Sequence, residues 1–198
     1  MAQVMSRRLP WVDIGLVLAA GAGRRFGGPK AAVCLEGERL VDRAVRILRE
    51  GGCPRVVVIL GAWQGPVNDA EVIVNPHWRE GMGSSLRTGL AALLAEPRQG
   101  RTHSAPRRAV ITLVDLPGLT AAAVDHLCRQ QEPLLAARYG AQQGHPVLIA
   151  EQHWPALMRE IAGDCGARHY LRRQGARLIP LDHLACGDDL DHPIQPSR

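Results

Sequence analysis

Hydrophobic residues fall in short segments of two kinds along the 198-residue chain. Val12 to Ala19, Arg55 to Leu60, Glu71 to Val74 and Ala109 to Val114 are largely apolar runs, the pattern of strands buried in a parallel sheet. Residues 40–50 (LVDRAVRILRE) instead place Leu40, Val41, Ala44, Val45 and Leu48 on one helical face, and Gly51-Gly52 ends that helix. Ser84 or Ser85 can cap a second helix, in which Leu86, Leu90, Leu93 and Leu94 recur at helical spacing. Thr120 caps a third. Strands follow near 134–139 and 145–150, helices around 153–161 and 166–174, and a last strand near 176–181. This alternation predicts an α/β fold, a Rossmann-like three-layer domain with a mainly parallel, mixed sheet. Ligands in such sheets gather beyond the carboxyl ends of the strands. The loops at 20–30, 75–85 and 115–118 all follow strands, so they should meet at one site.

The length suits one hydrophobic core. We expect residues 1–11 to be a flexible N-terminus and residues 12–198 a single domain. Hydrophobic content of 46% with only one phenylalanine, Phe26, implies a core built from leucine, valine and alanine. The formal charge of +5 favours anionic ligands. The densest basic stretch, 96–108, lacks the interleaved aromatics that would stack bases and reads as a solvated loop, so no nucleic-acid partner is expected. No apolar run reaches the length of a membrane span. Five cysteines form no CxxC pair, and their odd number argues against a disulfide framework, which fits a reducing cytoplasm. Arg7-Arg8 followed by an apolar stretch imitates an export signal. Pro10 and Asp13 interrupt that stretch, and cleavage near Ala22 would destroy the glycine-rich loop, so export is not expected.

That loop, IGLVLAAGAGRRFGGPK, ends in the only lysine among 24 lysines and arginines. Its glycines let a ligand approach the backbone, and Arg24, Arg25 and Lys30 bring positive charge to one place. An ammonium is a compact point charge where guanidinium is a planar fork, so Lys30 is not interchangeable with its arginine background. The loop is not a Walker A motif, because Lys30 follows Pro29 and precedes Ala31. It is not a dinucleotide fingerprint either, because Phe26 stands where the last glycine belongs.

The pattern LAAGAGRRFGGPK resembles the signature of the MobA-like nucleotidyltransferases, and most closely the branch containing molybdenum cofactor cytidylyltransferase. NPHWREGMGSSLRTGL at 75–90, VDLPGL at 114–119, GHPV at 144–147, GDCGAR at 163–168 and DLDHP at 189–193 resemble later motifs of that branch, in order. The resemblance implies a fold of the nucleotide-diphospho-sugar transferase type and a Mg²⁺-dependent attack by an acceptor phosphate on the α-phosphorus of a nucleoside triphosphate. It implies Arg25, Lys30 and Asp115 as catalytic residues. It places the nucleotide against Leu18, Ala19, Ala20, Gly21, Ala22, Gly23, Lys30, Asn75, Gly81, Gly83 and Ser84. His145 and Arg168 would face the acceptor, and Asp115 and Asp191 would bind metal, with Asp189 as the other candidate for the second ligand. Two departures stand out: DxDTPxD has become DLDHPIQ, and Phe26 replaces a methionine.

Within that resemblance CTP and molybdopterin are the expected substrates, in the cytoplasm, with transient contact to a molybdenum-enzyme apoprotein. The guanylyl branch begins its loop LAGG where this chain has LAAG, and the Ala20 methyl would narrow the space beside the base. GTP use stays open. So does a nicotinamide-dependent oxidoreductase on the same fold, although hydride transfer needs no metal or triphosphate clamp. A nucleotide-binding chaperone that delivers cofactor is a third possibility.

Overall fold

The computed structural model describes residues 11–96, 106–161 and 163–190. The expected flexible N-terminus, apart from residue 11, lies outside the described residues, as do Asp191 and most of the basic 96–108 stretch.

The first strand, β1 (Val12–Leu18), is buried along nearly its whole length. Its side chains alternate between two cores. Val17 packs with the first cluster, whereas Ile14, Leu16 and Leu18 pack with the second. A short hairpin follows, β2 (Cys34–Leu35) and β3 (Glu38–Arg39). This hairpin has no signature in the sequence: two-residue strands carry no readable periodicity, and its turn is made by Glu36 and Gly37 at φ of 53° and 86°. Helix α1 (Leu40–Glu50), β4 (Arg55–Leu60) and β5 (Glu71–Val74) match the ranges read from the sequence.

Helix α2 (Met82–Ala95) starts earlier than a serine cap would allow, with Gly81 at the cap position and no side-chain cap. The expectation for Ser84 and Ser85 is corrected accordingly. Both are buried in the first turn and accept hydrogen bonds from Asn75 at 2.8 and 3.1 Å. A buried polar loop, here, outcompetes the usual capping contact. Strand β6 (Arg107–Leu113) precedes α3 (Ala121–Cys128), which Thr120 caps as expected by accepting from the Ala123 amide. Strands β7 (Leu134–Tyr139) and β8 (Gln142–Ala150) form an antiparallel hairpin with an irregularity between Ala136 and Ala137. Helices α4 (Trp154–Glu160) and α5 (Arg168–Arg173) and strand β9 (Arg177–Pro180) complete the described elements.

The seven main strands lie in the order β5-β4-β1-β6-β8-β7-β9. Only β8 runs against its neighbours. One core holds α1 and α3 on one face of the sheet, and the other holds α2, α4 and α5 on the opposite face. The outcome is the expected three-layer α/β domain. Because β4, β1 and β6 are adjacent and parallel, their carboxyl ends emerge side by side, which places the glycine loop and the Asp115 loop together. Among the described residues, no helix is long and apolar enough to cross a membrane.

Candidate active site

The glycine loop is rooted by its neighbours on both sides. The Ala19 amide donates to the Ile59 carbonyl at 2.9 Å, the Ala62 amide to Ala20 at 3.0 Å, and the Val114 amide to Leu18 at 3.3 Å. The loop then folds on itself. The Gly27 and Gly28 amides both donate to the Gly23 carbonyl, at 2.9 and 3.2 Å. Gly23 has φ of 57°, and a Cβ there would lie 1.9 Å from the Gly28 carbonyl oxygen, so only glycine fits. This closure ends in a single helical turn, Lys30–Ala32, pinned by the buried Ala31.

Lys30 Nζ donates to Asp115 Oδ2 at 2.8 Å, with side-chain exposures of 14% and 20%. The same ammonium stands 5.9 Å above the centre of the Phe26 ring. The other Asp115 oxygen takes no hydrogen bond among the described residues. Arg25 is exposed and makes no hydrogen bond or ion pair among the described residues. The expected catalytic trio is thus divided between a bonded lysine–aspartate pair and an exposed arginine.

Two of the residues expected to meet nucleotide have other engagements. Asn75 is buried, its amide group donates to both Ser84 and Ser85, and its carbonyl oxygen accepts from the His77 amide at 2.9 Å. It therefore clamps the 75–85 loop. Ser84 is buried with its hydroxyl directed at the His77 and Gly81 carbonyls. Gly81, at φ of 108°, lets the 163–164 turn press against this loop, and the Gly83 amide donates to the Gly163 carbonyl at 2.9 Å. Ala20 is only 5% exposed and belongs to the core cluster that also holds Leu86 and Leu90 of α2. Its carbonyl accepts from the Ala62 amide, and its methyl faces the protein interior more than solvent. Gly21 is exposed, and Ala22 and Gly23 are half-buried.

Beside this loop cluster opens a cleft of about 810 Å³, bordered by Leu18 and Leu116 and reaching His145, Arg168 and Asp189. His145 directs Nδ1 at the Ile111 carbonyl, 3.3 Å away. Burial holds its imidazole below the ordinary histidine range, opposed by that carbonyl and the Asp115 charge and reinforced by Arg168. Tyr139, whose phenol is pushed up to about 12 chiefly by burial, donates to the His145 carbonyl at 2.9 Å. Arg168 donates to the Gln143 carbonyl at 3.1 Å. The two residues expected on the acceptor side therefore share one cleft, next to the lysine–aspartate pair. Two neighbours of this site were not expected from the sequence: Tyr139, and the backbone of Leu190, whose amide donates to the Asp115 carbonyl at 2.9 Å. Neither bears a local sequence signal.

No group of three or more histidine, cysteine, aspartate or glutamate side chains capable of holding a metal occurs among the described residues. A carboxylate with one oxygen available beside a glycine loop does fit Mg²⁺, which takes one or two carboxylates and completes its shell with substrate phosphates and water.

Comparison with known proteins agrees with this geometry. The sequence model of the MobA-like NTP transferase domain matches residues 15–178. The chain is 34% identical to nicotine blue oxidoreductase of Paenarthrobacter nicotinovorans over 96% of its own length and 97% of that protein. It is 35% identical to a probable molybdenum cofactor guanylyltransferase of Opitutus terrae, over 54% of this chain and 50% of that one. The crystal structure of Rv0371c from Mycobacterium tuberculosis superposes with a TM-score of 0.70 at 22% identity, covering 91% of this chain and 94% of that one. The glycine loop, the Lys30–Asp115 pair and the adjoining cleft are thus carried by a chain that belongs to the MobA-like NTP transferase family.

Proposed function

We propose that the protein transfers a cytidylyl group from CTP to the phosphate of molybdopterin, giving molybdopterin cytosine dinucleotide and pyrophosphate. The observation that carries this reading is the 2.8 Å contact between Lys30 and Asp115 at the end of a closed glycine loop. A triphosphate entering the loop competes for the ammonium, and the displaced carboxylate becomes available to a cation. In the transfer an oxygen of the acceptor phosphate bonds to the α-phosphorus while the bond from that phosphorus to the β-phosphate bridging oxygen breaks. Lys30 and Arg25 then meet the charge that grows on the departing pyrophosphate. Glycine-loop backbone lies against the nucleotide, and His145 and Arg168 orient the acceptor from the neighbouring cleft. Little covalent chemistry is asked of the protein; positioning and charge stabilisation supply the rate. Mg²⁺ held by Asp115, with Asp189 or Asp191 as a second ligand, would neutralise phosphate charge. The reaction belongs in the cytoplasm, with the product passed to a molybdenum-enzyme apoprotein.

Support comes from the family membership and from the partial match to a guanylyltransferase relative. A second reading, reduction of an organic acceptor by a nicotinamide dinucleotide, is favoured by the 34% identical nicotine blue oxidoreductase. One experiment separates them. The protein is incubated with molybdopterin, Mg²⁺ and CTP or GTP, and products are identified by mass. A parallel assay follows NADH and NADPH oxidation with nicotine blue. A cytosine dinucleotide with stoichiometric pyrophosphate is the expected result. Nicotinamide oxidation without nucleotidyl transfer would replace the proposal by the second reading.

A further inference from the structure

After β9 the chain turns back and crosses the loop that carries Asp115. The Thr120 hydroxyl donates to the Leu184 carbonyl at 2.8 Å. The Cys186 amide donates to Gly118 at 3.1 Å and the Leu190 amide to Asp115 at 2.9 Å. Contact is close enough to require glycine at two points. A Cβ on Gly118 would lie 2.7 Å from Cys186 Cβ and 2.9 Å from its carbonyl oxygen, and a Cβ on Gly187 would lie 2.3 Å from the Tyr139 ring. Residues 184–190 are therefore seated between Tyr139 on one side and the 115–120 loop on the other.

The loop is anchored on either side, by the Val114 amide donating to Leu18 at 3.3 Å and by Leu116 and Leu119 buried in the core, but none of these bonds the Asp115 peptide itself. Between β6 and α3 it contains one internal backbone bond, from the Leu119 amide to Leu116 at 3.2 Å, and receives Arg43 on the Pro117 carbonyl at 3.0 Å. The Asp115 peptide is fixed from outside by Leu190. The carboxylate that meets Lys30 is borne on that same residue, so any movement of its backbone carries the charge with it.

We infer that residues 184–190 form a positioning strap, in which the Leu190 amide holds Asp115 in register with Lys30 and Gly118 admits the strap by lacking a side chain. Leu190 and Gly118 are positioning residues: they act on the reaction through the carboxylates they place, Asp115 by the Leu190 amide and Asp189 as its chain neighbour at the cleft. A displacement of about 1 Å at a reacting group is enough for a roughly hundredfold loss of rate. The inference rests on Lys30 and Asp115 being the working pair of the proposed transfer, but the pairing itself is measurable without turnover.

The single lysine makes that measurement direct. Protein carrying ¹³C at lysine Cε gives one lysine side-chain resonance, and Asp115→Asn defines its position without the Asp115 carboxylate. Leu190→Pro removes the amide donor, Leu190→Ala keeps it, and Gly118→Ala keeps every donor while pushing the strap away. The expected result is a Lys30 signal shifted toward the Asp115→Asn position in Leu190→Pro and Gly118→Ala. Those two should lose about 10–100-fold in kcat, with a smaller change in KM for the nucleotide. Leu190→Ala should restore both readouts. If Leu190→Pro does not fold, Gly118→Ala carries the test alone. An unmoved Lys30 signal in folded Gly118→Ala would overturn the strap. A moved signal in a protein that performs no nucleotidyl transfer would overturn the proposed function and leave the strap standing.

Discussion

Lys30 Nζ and Asp115 Oδ2 stand 2.8 Å apart across 85 positions of sequence. The sheet explains the meeting. Leu18 at the end of β1 pairs in register with Leu113 at the end of β6, so the loops that leave these strands start side by side. The side chains are only 14% and 20% exposed, so the pair is largely shielded from water, and breaking it costs more than the about 0–1 kcal/mol of an exposed pair.

From this relationship follows the behaviour of Lys30 variants. Lys30→Ala should lower nucleotidyl transfer by roughly 10²–10³, the scale for removing one donor that stabilises developing charge. Lys30→Arg should also lose much of the activity, because the planar fork does not reproduce a compact ammonium between Asp115 and a phosphate. Both variants should still unfold cooperatively, with Lys30→Ala at a lower midpoint than Lys30→Arg, which keeps a positive charge beside Asp115. Pyrophosphate release measured in single turnover checks the claim, and near-normal release by Lys30→Ala would refute it.

Asp115 should be needed for metal rather than for the fold. A chelator should abolish transfer and added Mg²⁺ or Mn²⁺ should restore it, whereas Asp115→Asn should remain inactive at limiting Mg²⁺. Circular dichroism of Asp115→Asn should match wild type, since the amide keeps the size of the carboxyl group and Lys30 is its one side-chain hydrogen-bond partner among the described residues. Full turnover by Asp115→Asn would assign the metal to another carboxylate.

Base preference should depend on Ala20 through packing. CTP should be preferred over GTP by about 30–1000-fold in kcat/KM, equivalent to roughly 2–4 kcal/mol. The buried Ala20 methyl lies in the core cluster against which Trp78 and Met82 pack, and Trp78 also packs on Gly61, where a Cβ would lie 2.6 Å from it. Ala20→Gly should narrow the preference without inverting it and lower stability by about 1–2 kcal/mol, from lost burial and added chain freedom. Competition between equimolar CTP and GTP, with the two dinucleotides counted, measures the first effect. A guanine product in excess would refute the cytidylyl assignment.

At the opposite end of β1, Asp13 and Arg108 should control stability. Arg108 is 1% exposed and donates to both Asp13 oxygens, at 2.7 and 2.9 Å, and to the Cys128 and Gln130 carbonyls, while its guanidinium lies 5.0 Å from the centre of the Trp11 ring. Asp13→Ala leaves a buried guanidinium without its counter-charge and should cost about 3–5 kcal/mol. Replacing both residues by apolar ones of similar size should be less damaging than Asp13→Ala alone. Urea unfolding of the single and double variants gives the comparison, and a fully stable Asp13→Ala would show that the pair is dispensable.

The run Val12 to Ala19, the helical face of 40–50 and the strand at Arg55 to Leu60 were legible because burial on a sheet or against it imposes a period on every residue. The glycine loop was legible because close backbone approach demands glycine at fixed places in a short stretch. The β2–β3 hairpin was not legible, since four strand residues carry too little pattern. Asp13 read as a break in an apolar run, and only the return of β6 beside β1 supplies the arginine that makes it tolerable there. Asn75 and Ser84 carried the right residue types for a ligand, but the folded loop turns them toward each other. Ala20 looked like a contact to the base, and the packing of α2 buries it. Local sequence thus determined the elements and the residue types available for phosphate chemistry, because those depend on neighbours within a few positions. Which polar groups face each other, and that the segment ending at Leu190 comes back to hold Asp115, depended on strand order and chain return, and only the tertiary structure decides those.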